Sequence, residues 1–365
     1  MKNKLKFFLL LFVSGFIIFN ILIVILWPLI TTKKFSKYNP YSEVELKSLN
    51  LNKPNALKLY LETWQRERLY EYDEYTGIVE SNSKNADFVN TSKEFGRKIL
   101  NKDCSRNIFF YGGENMFGYN VTDTQTIPYY FKEIIDSKYF KENYCIYNFG
   151  RGTYNSTQEN LLFIKHILSK KILNKDIVIF FDGVNEKGNR EVLNTKFISD
   201  NYNGLHQKYW LLYKYTFFSF IKTIPSSQLS ELLIKKYINR KVEKNNKKEL
   251  DYTDITRVFN DNIKIRNSIC NKFTINCYNF LQPFPELHGK FYNYNNNIIE
   301  TFDINKDLEF YKTYSLLREV NGVFDISDSL KNSFGISYIQ KIYYSPESNK
   351  LLAKRIYDYV KRNLN

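Results

Sequence analysis

Histidine is nearly missing from this 365-residue chain, occurring only at positions 166, 206 and 288. So few imidazoles make no typical zinc site and leave little for general-base chemistry at neutral pH. Glycine is scarce as well: Gly112-Gly113 lacks the G-x-G-x-x-G spacing of a dinucleotide site, and no phosphate-binding G-x-x-x-x-G-K-[ST] run occurs. No metal and no cofactor is expected. Charge is absent from Phe7 to Thr32, a run long enough to cross a hydrocarbon core of about 30 Å as a helix. A cleavable leader would need small residues behind that run, but the first alanine is Ala56, so an uncleaved single-pass anchor is expected. Lys2, Lys4 and Lys6 are balanced by Lys33, Lys34 and Lys37, and the positive-inside rule leaves the orientation open.

Four cysteines, Cys104, Cys145, Cys270 and Cys277, show no metal-ligand spacing. Two readings stand. They form two disulfides, Cys104 with Cys145 and Cys270 with Cys277, in a body outside the cytoplasmic membrane, or they are four buried thiols. What the chain does have is core material, 43% hydrophobic and 17% aromatic, which argues for a folded body. Its net charge of +15 is spread along the whole length. With no zinc-finger, RNA-binding or basic-zipper signature beside it, that charge does not point to nucleic acid.

The organisation follows from hydropathy. Residues 1–32 read as a cytoplasmic tip and transmembrane anchor, and 33–98 as a tether and N-terminal extension. The α/β body takes up 99–365, with a helical insertion at 187–245. Polar sequence from Thr31 to Pro54 suits a tether, and Leu57 to Tyr72 has near-helical apolar spacing. Short apolar runs then end in glycine or asparagine: Asn107–Tyr111 before Gly112-Gly113, Tyr144–Phe149 before Gly150, and Ile177–Phe181 before Asp182-Gly183. Such runs suit strands buried on both faces. Phe273–Leu281 and Gly322–Ile326 are two further strands. Helices are expected at 127–139, 157–171, 252–271, 306–320 and 346–364. Strand alternating with helix predicts a three-layer, flavodoxin-like body around a five-stranded parallel sheet, its ligand crevice at the carboxyl ends of the strands. Within the insertion, aromatic-rich Tyr209–Ile224 reads as a lid, as a membrane-interface segment or as an extra packed helix.

Five blocks in order carry a resemblance. They are Ile108-Phe-Phe-Tyr-Gly-Gly-Glu114-Asn-Met-Phe-Gly followed by Thr126-Ile-Pro128, Asn148-Phe-Gly150-Arg-Gly152, Asp182-Gly-Val-Asn185-Glu186, Leu281-Gln-Pro283, and Tyr343-Tyr-Ser-Pro-Glu-Ser-Asn349. Together they resemble the motif blocks of the SGNH (GDSL-type) esterases. The resemblance implies a serine nucleophile in the first block and an oxyanion hole built with the glycine of the second and the asparagine of the third. It also implies a histidine base before the last helix, with an aspartate three residues ahead of it. Position by position, Gly150 and Asn185 stand at the oxyanion-hole places, while Glu114 stands for the nucleophile, Tyr343 for the histidine and Gln340 for the aspartate. All three members of the triad are replaced.

The pocket is expected to draw on Gly113, Glu114, Asn115, Asn185, Glu186 and Tyr343. Glu114 has three readings: a carboxylate locking the vacated oxyanion hole from inside, a contact for a cation or a sugar hydroxyl, or a nucleophile partnered by Glu186 or Asp182. His166, inside a helical run, reads as structural; His206 and His288 are possible ligand contacts. The functional expectation is a degenerate, membrane-anchored SGNH-like protein that binds or helps to process a cell-surface carbohydrate or acyl ligand. Its alternatives are an active ester hydrolase or O-acyltransferase with a non-standard site, and a structural partner in an envelope assembly.

Overall fold

The computed structural model describes residues 14–16, 18–22, 40–64, 70–73, 75–80, 82–83, 86–138, 140, 142–188, 252–293, 295–302 and 308–364. The chain divides into two compact units, Met1–Tyr38 with Val192–Leu250 and Asn39–Glu191 with Asp251–Asn365. Only 14–16 and 18–22 of the first unit are described, and they are helical. Among the described residues no helix is long and apolar enough to cross a membrane. Most of the expected 7–32 span, nearly all of the 187–245 insertion and His206 lie outside them.

In chain order the second unit runs through α1 (Glu43–Leu49), α2 (Lys53–Trp64), β1 (Tyr70–Asp73), β2 (Gly77–Glu80), β3 (Thr91–Ser92), β4 (Gly96–Arg97), β5 (Arg106–Gly112), α3 (Glu114–Phe117), α4 (Ile127–Asp136), β6 (Tyr144–Gly150), α5 (Ser156–Leu168) and β7 (Ile177–Asp182). It resumes with α6 (Tyr252–Phe273), β8 (Asn276–Leu281), α7 (Pro285–His288), β9 (Lys290–Asn293), β10 (Ile298–Thr301), α8 (Leu308–Leu317), β11 (Val323–Asp325), β12 (Tyr338–Ile339), β13 (Tyr343–Tyr344) and α9 (Pro346–Val360).

The main sheet has seven strands in the order β11-β8-β7-β5-β6-β4-β3, not five. Nor is it wholly parallel. From β11 to β4 every neighbouring pair is parallel, but β3 turns back on β4 as an antiparallel edge. These two extra strands are only two residues each, too short for a hydrophobic pattern, and they come from the segment expected to be an extension. The central order β6-β5-β7-β8-β11 is the doubly wound arrangement, whose chain reverses direction across the sheet between β5 and β7. Alternation sorts the core into two layers. Ile108, Phe110, Ile177, Ile179 and Phe181 face Phe131 and Ile135 of α4 and Leu352 and Ile356 of α9. Phe109, Tyr111, Val178 and Phe180 face Leu162 and Phe163 of α5 and Cys270 of α6. A second sheet, β10-β9-β12-β13, flanks the body.

The expected tether is in fact structured from Tyr41 onward. Tyr41, Leu46, Leu49, Ala56 and Leu59 share a core with Phe117, Tyr119 and Ile339. A capping box starts α1, with Ser42 and Glu45 satisfying each other's backbone N–H. Cys104 is bonded to Cys145, Cα–Cα 5.5 Å, and Cys270 to Cys277, Cα–Cα 6.1 Å. The first bridge joins the approach to β5 with the start of β6, and the second spans the joint between α6 and β8.

Candidate functional site

The reversal between β5 and β7 brings two turns together at the carboxyl edge of the sheet. After β5 the chain passes through Gly113, the N-cap of α3, so Glu114 is the first helical residue. After β7 it passes through Gly183 into a short 3₁₀ turn, Val184–Gly188, carrying Asn185 and Glu186. A side chain at Gly113 would displace Asn185 Nδ2 from its place beside the turn. The third turn, after β6, supplies Thr153 and Tyr154.

Glu114 is where these turns meet. Its Oε1 accepts the backbone N–H of Thr153 at 2.6 Å, and its Oε2 accepts Asn185 Nδ2 at 2.7 Å. Asn185 Nδ2 also donates to the Tyr154 carbonyl at 2.8 Å, which fixes the amide's orientation. Of the residues singled out in the sequence, Glu114 and Asn185 are therefore in contact. Gly150, read as an oxyanion-hole residue, donates its N–H to Asn148 Oδ1 at 3.0 Å in this structure, and a Cβ there would strike the backbone of Met116 and Phe117. Gly150 lets β6 pack against α3, and the backbone N–H that reaches the carboxylate comes from Thr153 instead.

Other candidates point elsewhere. Asn115 is buried and turns inward, its Nδ2 3.4 Å from Gln282 Oε1. Gln340 donates its backbone N–H to Glu45 Oε1 at 2.6 Å, receives Asn120 Nδ2 at 3.3 Å and reaches the Pro40 carbonyl at 3.2 Å. It helps hold α1 to the body. Glu186 is buried and accepts the Ser156 N–H at 2.8 Å and the Ser156 hydroxyl at 2.6 Å. Burial, with Asp182 nearby, pushes its carboxyl up to about 8. Beside it, Arg266 grips Asp182 through two nitrogens at 2.5 and 3.1 Å and Glu159 at 3.1 Å, all of them buried. Neither Glu186 nor Asp182 is hydrogen-bonded to Glu114, so the two-carboxylate nucleophile arrangement is not formed.

Neither described histidine, His166 or His288, is bonded to Glu114 or Asn185. His166 is buried against Tyr111, Nδ1 to hydroxyl 2.6 Å, and burial together with Lys171 and Arg151 lowers it to about 3, so the ring is neutral. His288 Nε2 lies 2.6 Å from Asp328 Oδ1, near the end of β11. Tyr343, at the histidine place, is half-buried and its phenol is raised above its ordinary value by burial and by the charge of Glu114. The ring stacks on Tyr119 (centroids 5.5 Å) and meets Trp64 edge to face at 5.3 Å; Trp64 in turn meets Tyr119 at 5.0 Å. A side chain at Gly152 would run into the Tyr119 hydroxyl, which puts this aromatic group beside the Thr153 turn that holds Glu114. Sequence reasoning missed Thr153 and Trp64. Trp64 belongs to the apolar stripe of α2, and nothing local announces that α2 ends against Tyr119 and Asn120, just after α3, and against Tyr343 of the fifth block.

No metal-binding group of three or more His, Cys, Asp or Glu occurs among the described residues. Cavities of about 450 and 500 Å³ open elsewhere, around Leu51, Phe88 and Tyr129 and around Ser92, Phe95 and Ile146.

No family model and no curated protein matches the sequence. Among solved structures the chain is similar to a lipase/acylhydrolase from Enterococcus faecalis, at 13% identity over 71% of this chain and 97% of that one, TM-score 0.39. It is similar to the acetyl xylan esterase AlAXEase at 12% identity over 70% and 99%, TM-score 0.38. It is also similar to Axe2, an acetylxylan esterase from Geobacillus stearothermophilus, at 10% identity over 73% and 97%, TM-score 0.36.

Proposed function

We propose that this chain is a catalytically degenerate SGNH-type domain, held at the outer face of the cytoplasmic membrane by its N-terminal segment, that binds a cell-surface carbohydrate or acyl ligand without cleaving it. One observation carries the reading. The Glu114 carboxylate already takes the hydrogen bonds of Asn185 Nδ2 and the Thr153 N–H, donors of the kind that would stabilise an acyl oxyanion. A carboxylate in that place takes up the donors a developing oxyanion would need. Ser156, the serine after the Thr153 turn, is fully buried with its hydroxyl bonded to Glu186 and Asn262.

Full-length protein in detergent, assayed with a generic acetyl ester such as p-nitrophenyl acetate, is expected to show no turnover above buffer. Turnover abolished by Glu114→Ala sinks the proposal and makes the chain an enzyme with a carboxylate in the working position. For the anchor, the protein is expected to stay in the membrane pellet at high salt and to be released when residues 1–32 are removed. Release of the intact chain by salt alone would count against it.

A further inference from the structure

Glu114 is a half-buried carboxylate whose partners among the described residues are both neutral, an amide and a backbone N–H, with no ion pair to it among those residues. Some enclosed carboxylates of the body have cations, Asp182 and Glu159 sharing Arg266, Asp123 with Arg97 and Asp73 with Lys165, whereas Glu62, like Glu114, is held by neutral donors, the backbone N–H groups of Asp87, Phe88 and Val89. Among the described residues no cation is paired with Glu114, while Tyr343, near enough to feel its charge, stacks on Tyr119 and meets Trp64. Strand β13 packs against α3, so Tyr343 lies over the carboxylate's helix, Tyr119 backs it, and Trp64 forms the outer wall with 39% of its surface exposed. Trp64 is held in place by its indole N–H, which donates to Asn120 Oδ1 at 2.8 Å. Tyr41 donates to the same oxygen at 2.9 Å. The rings are therefore preset in position.

An unmatched carboxylate flanked by aromatic faces favours a cation that is organic and only partly hydrated, because ring quadrupoles attract positive charge and the flat faces take up C–H surface. We propose that the corner formed by Glu114, Trp64, Tyr119 and Tyr343 binds a protonated amine, the ammonium group set against Glu114 and the carbon skeleton lying on Trp64. A deacetylated amino sugar has both parts. This rests on the non-catalytic reading of Glu114 and narrows its ligand from carbohydrate or acyl to amine-bearing. Neutral sugars have hydroxyls for Glu114 but leave its charge unmatched.

The test is a titration of full-length protein in detergent with glucosamine, N-acetylglucosamine and choline, followed by calorimetry. Glucosamine is expected to bind at least tenfold more tightly than N-acetylglucosamine. Glu114→Gln, which keeps an acceptor for Asn185, is expected to erase that preference, and Trp64→Ala to weaken glucosamine several-fold. Choline binding with the same dependence on Glu114, stronger than that of glucosamine, supports the ammonium site and assigns it to a lipid headgroup. Equal binding of glucosamine and N-acetylglucosamine, or a preference that survives Glu114→Gln, overturns the proposal. If Glu114→Gln does not fold, the wild-type protein still decides: affinity for glucosamine must fall with salt and as the amine loses its proton, and an affinity indifferent to both sinks the idea. Ester turnover, measured separately, bears on the non-catalytic reading and not on the ammonium preference.

Discussion

Glu114 makes its contacts at the surface of a closed turn, where water can replace part of what is lost. Glu114→Ala is therefore expected to cost only about 1 kcal/mol in urea denaturation, since Asn185 keeps its bond to the Tyr154 carbonyl. Glu186 is the opposite case, fully enclosed and titrating near 8 against an ordinary value of 4.5, with burial the leading cause. Between those two pH values the folded chain holds a proton that the unfolded chain releases. Stability is then complete below about pH 4.5 and declines as pH rises toward 8, by at most about 1.4 kcal/mol per pH unit from this group. Glu186→Gln is expected to flatten that decline in denaturation curves taken at pH 5, 6, 7 and 8; an unchanged slope would mean that another group binds the proton.

At the scale of elements, α1 has only seven residues, yet it closes the site from behind. Glu45, fully buried, accepts the Ser42 N–H and hydroxyl and also the Gln340 N–H, so one carboxylate joins α1 to the turn before β13. Glu45→Ala leaves the buried end of that turn without an acceptor and is expected to lower stability by about 2 kcal/mol, read as a drop in the urea midpoint. A loss near zero would show that water reaches the Gln340 N–H. The long strands were legible because each is a nearly pure apolar run ended by glycine, as Ile177–Asp182 ends at Gly183. Helix α1 was not, because three apolar residues in seven look like loop sequence unless the Ser42–Glu45 cap is weighed. Phe273, read as strand, closes α6 instead; the Cys270–Cys277 bridge pulls helix and strand together across that joint. In the site, Glu114 and Asn185 could be read from motifs that are local in sequence. Thr153 replaced Gly150 as donor because Asn148, two residues earlier, captures the glycine N–H, a competition that spacing alone does not reveal.

For the whole molecule, the two disulfides close loops of very different length, with separations of 41 and 7 residues. Loop-closure entropy grows with length, so replacing Cys104 and Cys145 by serine is expected to cost about 4 kcal/mol and replacing Cys270 and Cys277 about 2 kcal/mol. Thermal unfolding of the two double mutants checks the order, and a reversed order would place the burden on local packing. Arg266 has a different reach. It ties α6, where the chain returns, to Asp182 of β7 just before the chain departs, and to Glu159 and the Ser156 carbonyl of α5. The described elements on either side of residues 189–251, β7 and α6, are thereby joined through one buried guanidinium. The edge bearing Glu114 and Asn185 is thus braced from within the described body, by a charge cluster that joins β7, α5 and α6.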